Sequence, residues 1–156
     1  MNRRAAIYVA VGAVVPFAAA VGIAIATPPS GVTPVVHAAS ATLADDVRVN
    51  ADRVKFQTKD PVDVSMLTLT VEPGGTTGWH SHPGFAVIAV TEGVGTLYAA
   101  DCSSQTFEAG EAFVEAGDDP PTEFRNETSD PVVLAVSFVA PQDAAIIRDE
   151  PSPGCE

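Results

Sequence analysis

The sequence has few of the residues that mark the common catalytic and nucleic-acid-binding classes. Its 156 residues include three histidines, two cysteines, and 8 basic against 20 acidic side chains, for a net charge of −12. A chain this acidic is repelled by phosphate backbones, so we expect no nucleic-acid partner. It contains no Cys-x-x-Cys pair, phosphate-binding loop or Ser/His/Asp set, which leaves redox, nucleotide and triad chemistry without support.

An uncharged, mostly apolar run occupies residues 5–26, behind the basic start Arg3-Arg4. It ends in Ala24-Ile25-Ala26, which fits the small-x-small pattern of a cleaved secretory signal, and Val36-His37-Ala38 offers a second such pattern. The run is longer than a usual signal core and approaches the ~20 residues that span a bilayer, so an uncleaved helical anchor is the alternative. The sequence predicts an exported protein, extracellular or in the cell envelope, that meets a membrane only if residues 1–26 are retained.

The two cysteines, Cys102 and Cys155, both lie outside the apolar run. In an oxidising compartment such a pair forms one disulfide. The bridge would tie the C-terminal tail, where Pro151 and Pro153 oppose a helix, to the middle of the domain. In the chain-entropy description, closing a loop of that size stabilises the fold by about 4 kcal/mol.

Beyond the apolar run, the sequence shows mainly strand and turn signals. Residues 27–44 are rich in Pro, Ala, Ser and Thr without periodicity, which predicts a flexible spacer that includes His37. From residue 45 to 156, short runs rich in Val, Leu, Thr and Phe alternate with Gly/Pro turns. In one of them a single face carries Val132, Leu134, Val136 and Phe138. The pattern predicts one all-β domain, a sandwich or a barrel.

Two of the three histidines lie two residues apart, behind a glycine-rich turn. On a strand, the side chains of His80 and His82 point to the same face. Neutral imidazole is the commonest metal ligand, so the pair predicts half of a metal site. Such a site usually has three or four protein ligands, and the others must come from elsewhere in the chain.

The spacing around the histidines resembles the first motif of the cupin family of small jelly-roll β-barrels. That motif runs Gly, five residues, His-x-His, three or four residues, Glu, six residues, Gly. Gly74, His80, His82 and Gly93 fit every spacing, while Ala86 stands at the position of the glutamate.

A later stretch is similar to the second cupin motif, which runs Gly, five residues, Pro-x-Gly, two residues, His, three residues, Asn. Gly110, the turn at Ala116-Gly117 and Asn126 follow this order, with one residue more than the motif between Gly110 and Asn126. Thr122, four residues before Asn126, stands where the histidine falls. The resemblance covers Val62 to Pro141. It implies a cupin-type jelly-roll β-barrel, preceded here by the apolar signal or anchor helix.

In metal-binding cupins the motif residues hold Mn, Fe, Zn, Ni or Cu, so the resemblance implies a divalent metal on His80 and His82. Glu123 is a candidate for the missing carboxylate. Successive side chains of a strand point to opposite faces, so Glu123 points outward if Thr122 and Phe124 point inward. A β-bulge would turn Glu123 inward. Two histidines plus waters make a weak, exchangeable site. The alternative is a histidine pair that is hydrogen-bonded in a polar cavity without metal.

The resemblance also places a small-molecule pocket inside the barrel, for which the candidate lining residues are Ala86, Tyr98, Thr122 and Phe124. We therefore expect an exported cupin that binds a small molecule, with or without a loosely held divalent metal, around the histidine pair. One alternative is a metal-dependent enzyme of the dioxygenase, isomerase or decarboxylase type, for which the sequence assigns no catalytic residue. Another is a non-catalytic scaffold of the bacterial cell envelope. Cupins often pair edge strands into dimers, so by analogy with the fold we expect a homodimer.

Overall fold

A computed structural model describes residues 27–117 and 119–155, and every regular element in these ranges is a β-strand. The predicted signal or anchor, residues 1–26, lies outside the described residues. Within the described ranges no helix is long and apolar enough to cross a membrane. The strands are β1 (Ser30–Leu43), β2 (Arg48–Ala51), β3 (Val54–Gln57), β4 (Val62–Thr76), β5 (His80–Ser81), β6 (Phe85–Glu92), β7 (Val94–Ala99), β8 (Ser104–Glu108), β9 (Ala112–Ala116), β10 (Thr122–Arg125), β11 (Val132–Pro141) and β12 (Arg148–Asp149).

Ten of the strands form one sheet, which closes most of the way into a barrel. One wall has the order β1-β4-β11-β6-β9, and β12, β5, β10, β7 and β8 form the other. The two walls join where Arg125 of β10 pairs with Thr76 at the end of β4. Strands β2 and β3 form a separate hairpin. The predicted all-β class is confirmed.

Side-chain alternation along the strands builds the core between the walls. On β11 the predicted inward face is confirmed, since Val132, Leu134, Val136 and Phe138 are each at most 5% exposed. The neighbouring strand β6 contributes Ala86, Ile88 and Val90, and the opposite wall contributes Phe107 and Phe124. Fully burying one such large apolar side chain contributes about 1.5–3 kcal/mol, so this alternation fixes the strand register.

Residues 30–43 form the edge strand β1, which corrects the prediction of a flexible spacer over 27–44. The strand pairs antiparallel with β4, with Val32 opposite Val71 and Val36 opposite Leu67. The local composition favours no structure, but the open edge of β4 supplies backbone partners, and an edge strand tolerates Pro34. The barrel domain therefore starts before residue 45.

The C-terminal tail is anchored at two places. The predicted disulfide between Cys102 and Cys155 is confirmed, with the two Cα atoms 5.3 Å apart. Strand β12 also pairs with β5, which places Asp149 opposite His80. The tail thus crosses the barrel next to the histidines, although its sequence predicts little order.

Candidate metal centre

The structure brings His80 and His82 together inside the barrel. Their ring centroids are 4.8 Å apart, and their side chains are 7% and 3% exposed. The Nδ1 atom of His82 lies 2.7 Å from the carbonyl oxygen of Ile146 in the tail. Since a carbonyl only accepts hydrogen bonds, Nδ1 donates and Nε2 is the ring atom turned towards the interior of the site.

The turn before β5 holds His80 in the same way. Its Nδ1 atom donates to the carbonyl oxygen of Gly78 at 2.9 Å. Gly78 has φ +70°, a left-handed conformation that favours glycine, and a Cβ there would lie 2.1 Å from the carbonyl oxygen of Thr27. The orientation of His80 therefore depends on glycine at position 78.

Glu115 on β9 is the third member of the site, and the sequence prediction missed it. Its Oε2 atom lies 3.2 Å from Nε2 of His82 and 3.7 Å from Nε2 of His80. One ligand atom from each of the three residues lies within 4.8 Å of the other two. Two imidazoles and a carboxylate form a donor set known from zinc and non-haem iron sites, so these residues can hold a metal.

Strand pairing explains how Glu115 reaches the histidines. In the β6–β9 ladder, Glu115 is directly opposite Ala86, the position that carries the glutamate in the first cupin motif. Phe113 lies two residues earlier on β9 and lines the same cavity, as alternation requires. The signal available in the sequence was the two-residue spacing of Glu115 from Phe113, which puts both side chains on the same face of the strand.

Thr122 stands at the site without being one of the three clustered ligand residues. It pairs with His80 across β10 and β5, and its Oγ1 donates a 2.5 Å hydrogen bond to Oε1 of Glu115. This bond leaves the other oxygen, Oε2, facing the histidines. The residue at the position of the motif-two histidine therefore orients the carboxylate.

Electrostatics couples the three residues. Burial by itself raises the pKa of Glu115, but hydrogen bonds from His80 and His82, the His80 charge and the Thr122 hydroxyl hold it well below its ordinary value. Burial by itself lowers the pKa of His80, yet the Glu115 carboxylate, aided by the Gly78 carbonyl and Asp149, raises it on balance. The site thus favours an ionised carboxylate beside a cation.

The structure does not bring Glu123 to the histidines. Glu123 points to the opposite face of β10, where it accepts hydrogen bonds from Thr76 Oγ1 at 2.5 Å and from Arg125 Nε at 2.8 Å. The Arg125 guanidinium also lies 4.5 Å from the ring centroid of Tyr98. Alternation along β10 accounts for this placement, because Thr122 and Phe124 face inward.

A cavity of about 420 Å³ adjoins the three residues. Apolar side chains from β1, β4, β6, β9, β10, β11 and the tail form most of its wall, and its polar lining residues are Thr77, His80, His82, Glu115 and Asp149. Of the predicted pocket residues, Phe124 lines this cavity. Ala86 lies in the packed core, and Tyr98 lies on the outer face of its sheet. Thr122 lines a second, smaller cavity of about 40 Å³ next to His80, His82 and Glu115.

Residues 67–138 match the sequence family described as the cupin domain. The matched range contains both histidines, Glu115 and Thr122. The chain therefore carries a cupin domain over these residues. None of the curated proteins matches the chain.

Several solved structures resemble this chain. The cupin domain of an XRE family transcriptional regulator from Enterobacter cloacae is 21% identical with a TM-score of 0.41, over 49% of this chain and 80% of that one. The polyketide cyclase RemF from Streptomyces resistomycificus is 24% identical with a TM-score of 0.47, over 58% of this chain and 64% of that one, just under two thirds of the cyclase. A cupin-like protein from Thermotoga maritima is 19% identical with a TM-score of 0.46, over 59% and 77%.

Proposed function

We propose that this chain is a metal-dependent cupin that acts on a neutral, mainly apolar small molecule. The observation that carries the proposal is the convergence of His80, His82 and Glu115 beside the 420 Å³ cavity, with one ligand atom of each within 4.8 Å of the others. Three protein ligands leave coordination positions for water or for a ligand, as in catalytic metal sites.

The residues fit a divalent transition metal. Each histidine donates its Nδ1 hydrogen to a backbone carbonyl, so Nε2 is the nitrogen that can coordinate a metal once its hydrogen is lost. Such second partners are the rule for metal-ligating histidines. Thr122 holds one oxygen of Glu115 and so presents the other. A bound metal would polarise an oxygen of the small molecule or activate a water.

The cavity wall defines the class of small molecule. Most of the wall is aliphatic or aromatic, and the described residues that line it include no lysine or arginine. Glu115 and Asp149 place negative charge at the polar end. In the apolar part of the cavity, the charged group of an anionic molecule would lose its hydration without a lysine or arginine partner, so we assign a neutral molecule with one polar group near the histidines.

We also propose that the protein works outside the cytoplasm. The Cys102–Cys155 disulfide is compatible with an oxidising compartment, and the pattern of residues 1–26 is that of a secretory signal or anchor.

A ligand-binding experiment with two matched phenylalanine variants tests the proposal. Untagged protein is titrated with Co²⁺ and then with a neutral naphthalene probe or its carboxylate analogue. Val136→Phe fills the cavity, whereas Val87→Phe adds the same bulk on the outer face, where Val87 is 42% exposed. We expect Co²⁺ binding in all three proteins, and binding of the neutral probe in wild type and Val87→Phe only. Absence of Co²⁺ binding, or preference of the metal-free protein for the carboxylate, would contradict the proposal.

A further inference from the structure

The C-terminal tail contributes a contact to the site from a part of the chain remote from the cupin motifs. Ile146 packs against the hydrophobic core, and its carbonyl oxygen lies 2.7 Å from Nδ1 of His82. Ile146, Ile147 and Asp149 also line the cavity. The tail therefore forms part of the cavity wall and touches a ligand residue directly.

Backbone and side-chain bonds hold this part of the tail against β5. Arg148 and Asp149 pair with Ser81 and His80, and the amide of Glu150 donates to the carbonyl of Trp79 at 2.9 Å. Between the two histidines, Ser81 Oγ donates to Glu150 Oε1 at 2.7 Å. Strand β5, which carries His80, thus lies between β10 and the tail.

The disulfide fixes the end of the tail to the turn between β7 and β8 in the same wall of the barrel. Cys102 lies in the turn between β7 and β8, and Cys155 is bonded to it across a sequence separation of 53. Strand β12 is only two residues long and forms the edge of the sheet. Such a short pairing is weak on its own, so a covalent anchor on its C-terminal side limits the excursions of Ile146 as well.

The Ile146 carbonyl determines which nitrogen of His82 can bind a metal. Because the carbonyl accepts a hydrogen, Nδ1 must carry one, and Nε2, 3.2 Å from Glu115 Oε2, is the ring nitrogen that can give up its hydrogen to bind a metal. If the tail moved away, Nδ1 would face water, both tautomers would be populated, and the ring could rotate. Both changes lower the fraction of protein that is ready to bind a metal.

We propose that the tail, residues 142–155, is a positioning element of the metal centre. Ile146 selects the metal-binding tautomer of His82, and the Cys102–Cys155 disulfide holds the Ile146 carbonyl in place. The metal part of this inference rests on the proposed function, whereas the tautomer part stands without it.

The test compares wild type with the double variant Cys102→Ser/Cys155→Ser, which has no free thiol that could bind metal itself. Long-range ¹H–¹⁵N NMR of the metal-free proteins reports the His82 tautomer, and Co²⁺ titration reports affinity. We expect Nδ1 of His82 to carry a hydrogen in wild type, and we expect a mixture of Nδ1–H and Nε2–H tautomers in the double variant. Affinity for Co²⁺ should fall about 10–100-fold, the usual effect of losing the partner of a ligating histidine.

Val71→Ala is the control for a general loss of stability. Val71 is fully buried in the core and does not line the cavity. This variant should melt at a lower temperature but keep the wild-type tautomer and Co²⁺ affinity. An equal loss of affinity in Val71→Ala, or an unchanged tautomer and affinity in the double variant, would overturn the inference.

Two further outcomes keep the two proposals apart. If wild type binds no Co²⁺, the proposed function fails, and the tautomer comparison still decides the role of the tail. If the double variant does not fold, Glu150→Ala in the disulfide-bonded protein gives the same comparison, because it removes the bond between the tail and Ser81. Its tautomer ratio should shift in the same direction, and an unchanged ratio would count against the inference.

Discussion

Glu115 lies directly across the β6–β9 strand pair from Ala86, the position at which the first cupin motif carries its glutamate. Directly opposed residues share a face of the sheet, with Cβ atoms about 4.5–5.5 Å apart. The barrel therefore keeps a carboxylate beside the histidine pair although the motif has lost it.

Glu115→Gln should weaken Co²⁺ or Zn²⁺ binding by more than about 100-fold, beyond the 10–100-fold typical of a supporting residue. The amide keeps the shape of the side chain but removes the charge beside His80 and His82. Glu123→Gln is the matched control, because Glu123 bonds Thr76 and Arg125 on the other face. Titration calorimetry at a temperature where both variants are folded makes the comparison. Equal losses in the two variants would show that Glu115 is not a ligand.

A carboxylate placed at the motif position should replace the one on β9. We expect Glu115→Ala to lose metal binding and Ala86→Glu/Glu115→Ala to recover it to within about tenfold, because the two positions are cross-strand partners. Co²⁺ absorption spectra measure the recovery. The small-to-large change at the fully buried Ala86 costs about 1–3 kcal/mol, so folding is checked by thermal melting. A folded double variant without metal affinity would show that a carboxylate at position 86 cannot replace that of Glu115.

Thr122→Val should lower metal affinity about 10-fold or more, because the carboxylate of Glu115 loses the 2.5 Å hydrogen bond that orients it. Valine keeps the shape of threonine and removes only the hydroxyl. Thr122→Ser retains the hydroxyl and should stay close to wild type. If both variants lose affinity equally, the effect comes from packing and the hydrogen bond has no role.

The shift of the His80 pKa from the ordinary histidine value of about 6.5 should reverse its direction when Glu115 is neutralised. Burial lowers this pKa and the Glu115 carboxylate raises it above the ordinary value. Glu115→Gln leaves burial in place, so the pKa should fall below 6.5. NMR titration of the metal-free proteins measures both values.

The same shift sets the pH dependence of metal binding. A protonated imidazole cannot ligate, so metal affinity should fall as pH falls through the raised pKa of His80, which lies above that of an ordinary histidine. An affinity that is independent of pH between 5 and 8 would indicate that neither histidine is a ligand.

Reduction or Cys155→Ser should lower the free energy of unfolding by about 2–4 kcal/mol while the barrel stays folded. The bridge closes a loop with a sequence separation of 53, for which the chain-entropy relation gives about 4 kcal/mol. Guanidinium unfolding monitored by Trp79 fluorescence measures the difference. The native protein should have no free thiol, and two titratable thiols would contradict the bridge.

Local pattern was sufficient for much of the fold. The inward face of β11 and the orientations of Thr122, Glu123 and Phe124 follow from the two-residue period of a strand, which sequence alone displays. The disulfide was predictable because the chain has two cysteines, which leave one pairing. The cupin fold was recognisable because its two motifs are defined by spacing along the chain.

By itself, the sequence determined the strand class, the histidine pair and the bridge, since each depends on neighbouring residues or on simple counting. Only the tertiary structure decided that Glu115 faces the histidines, that the Ile146 carbonyl holds His82, and that residues 30–43 form a strand on the edge of β4. These three features depend on register and on partners far away in the chain. Local propensity carries no information about either, because the free energy of such pairings comes from burial and hydrogen bonding with the distant partner.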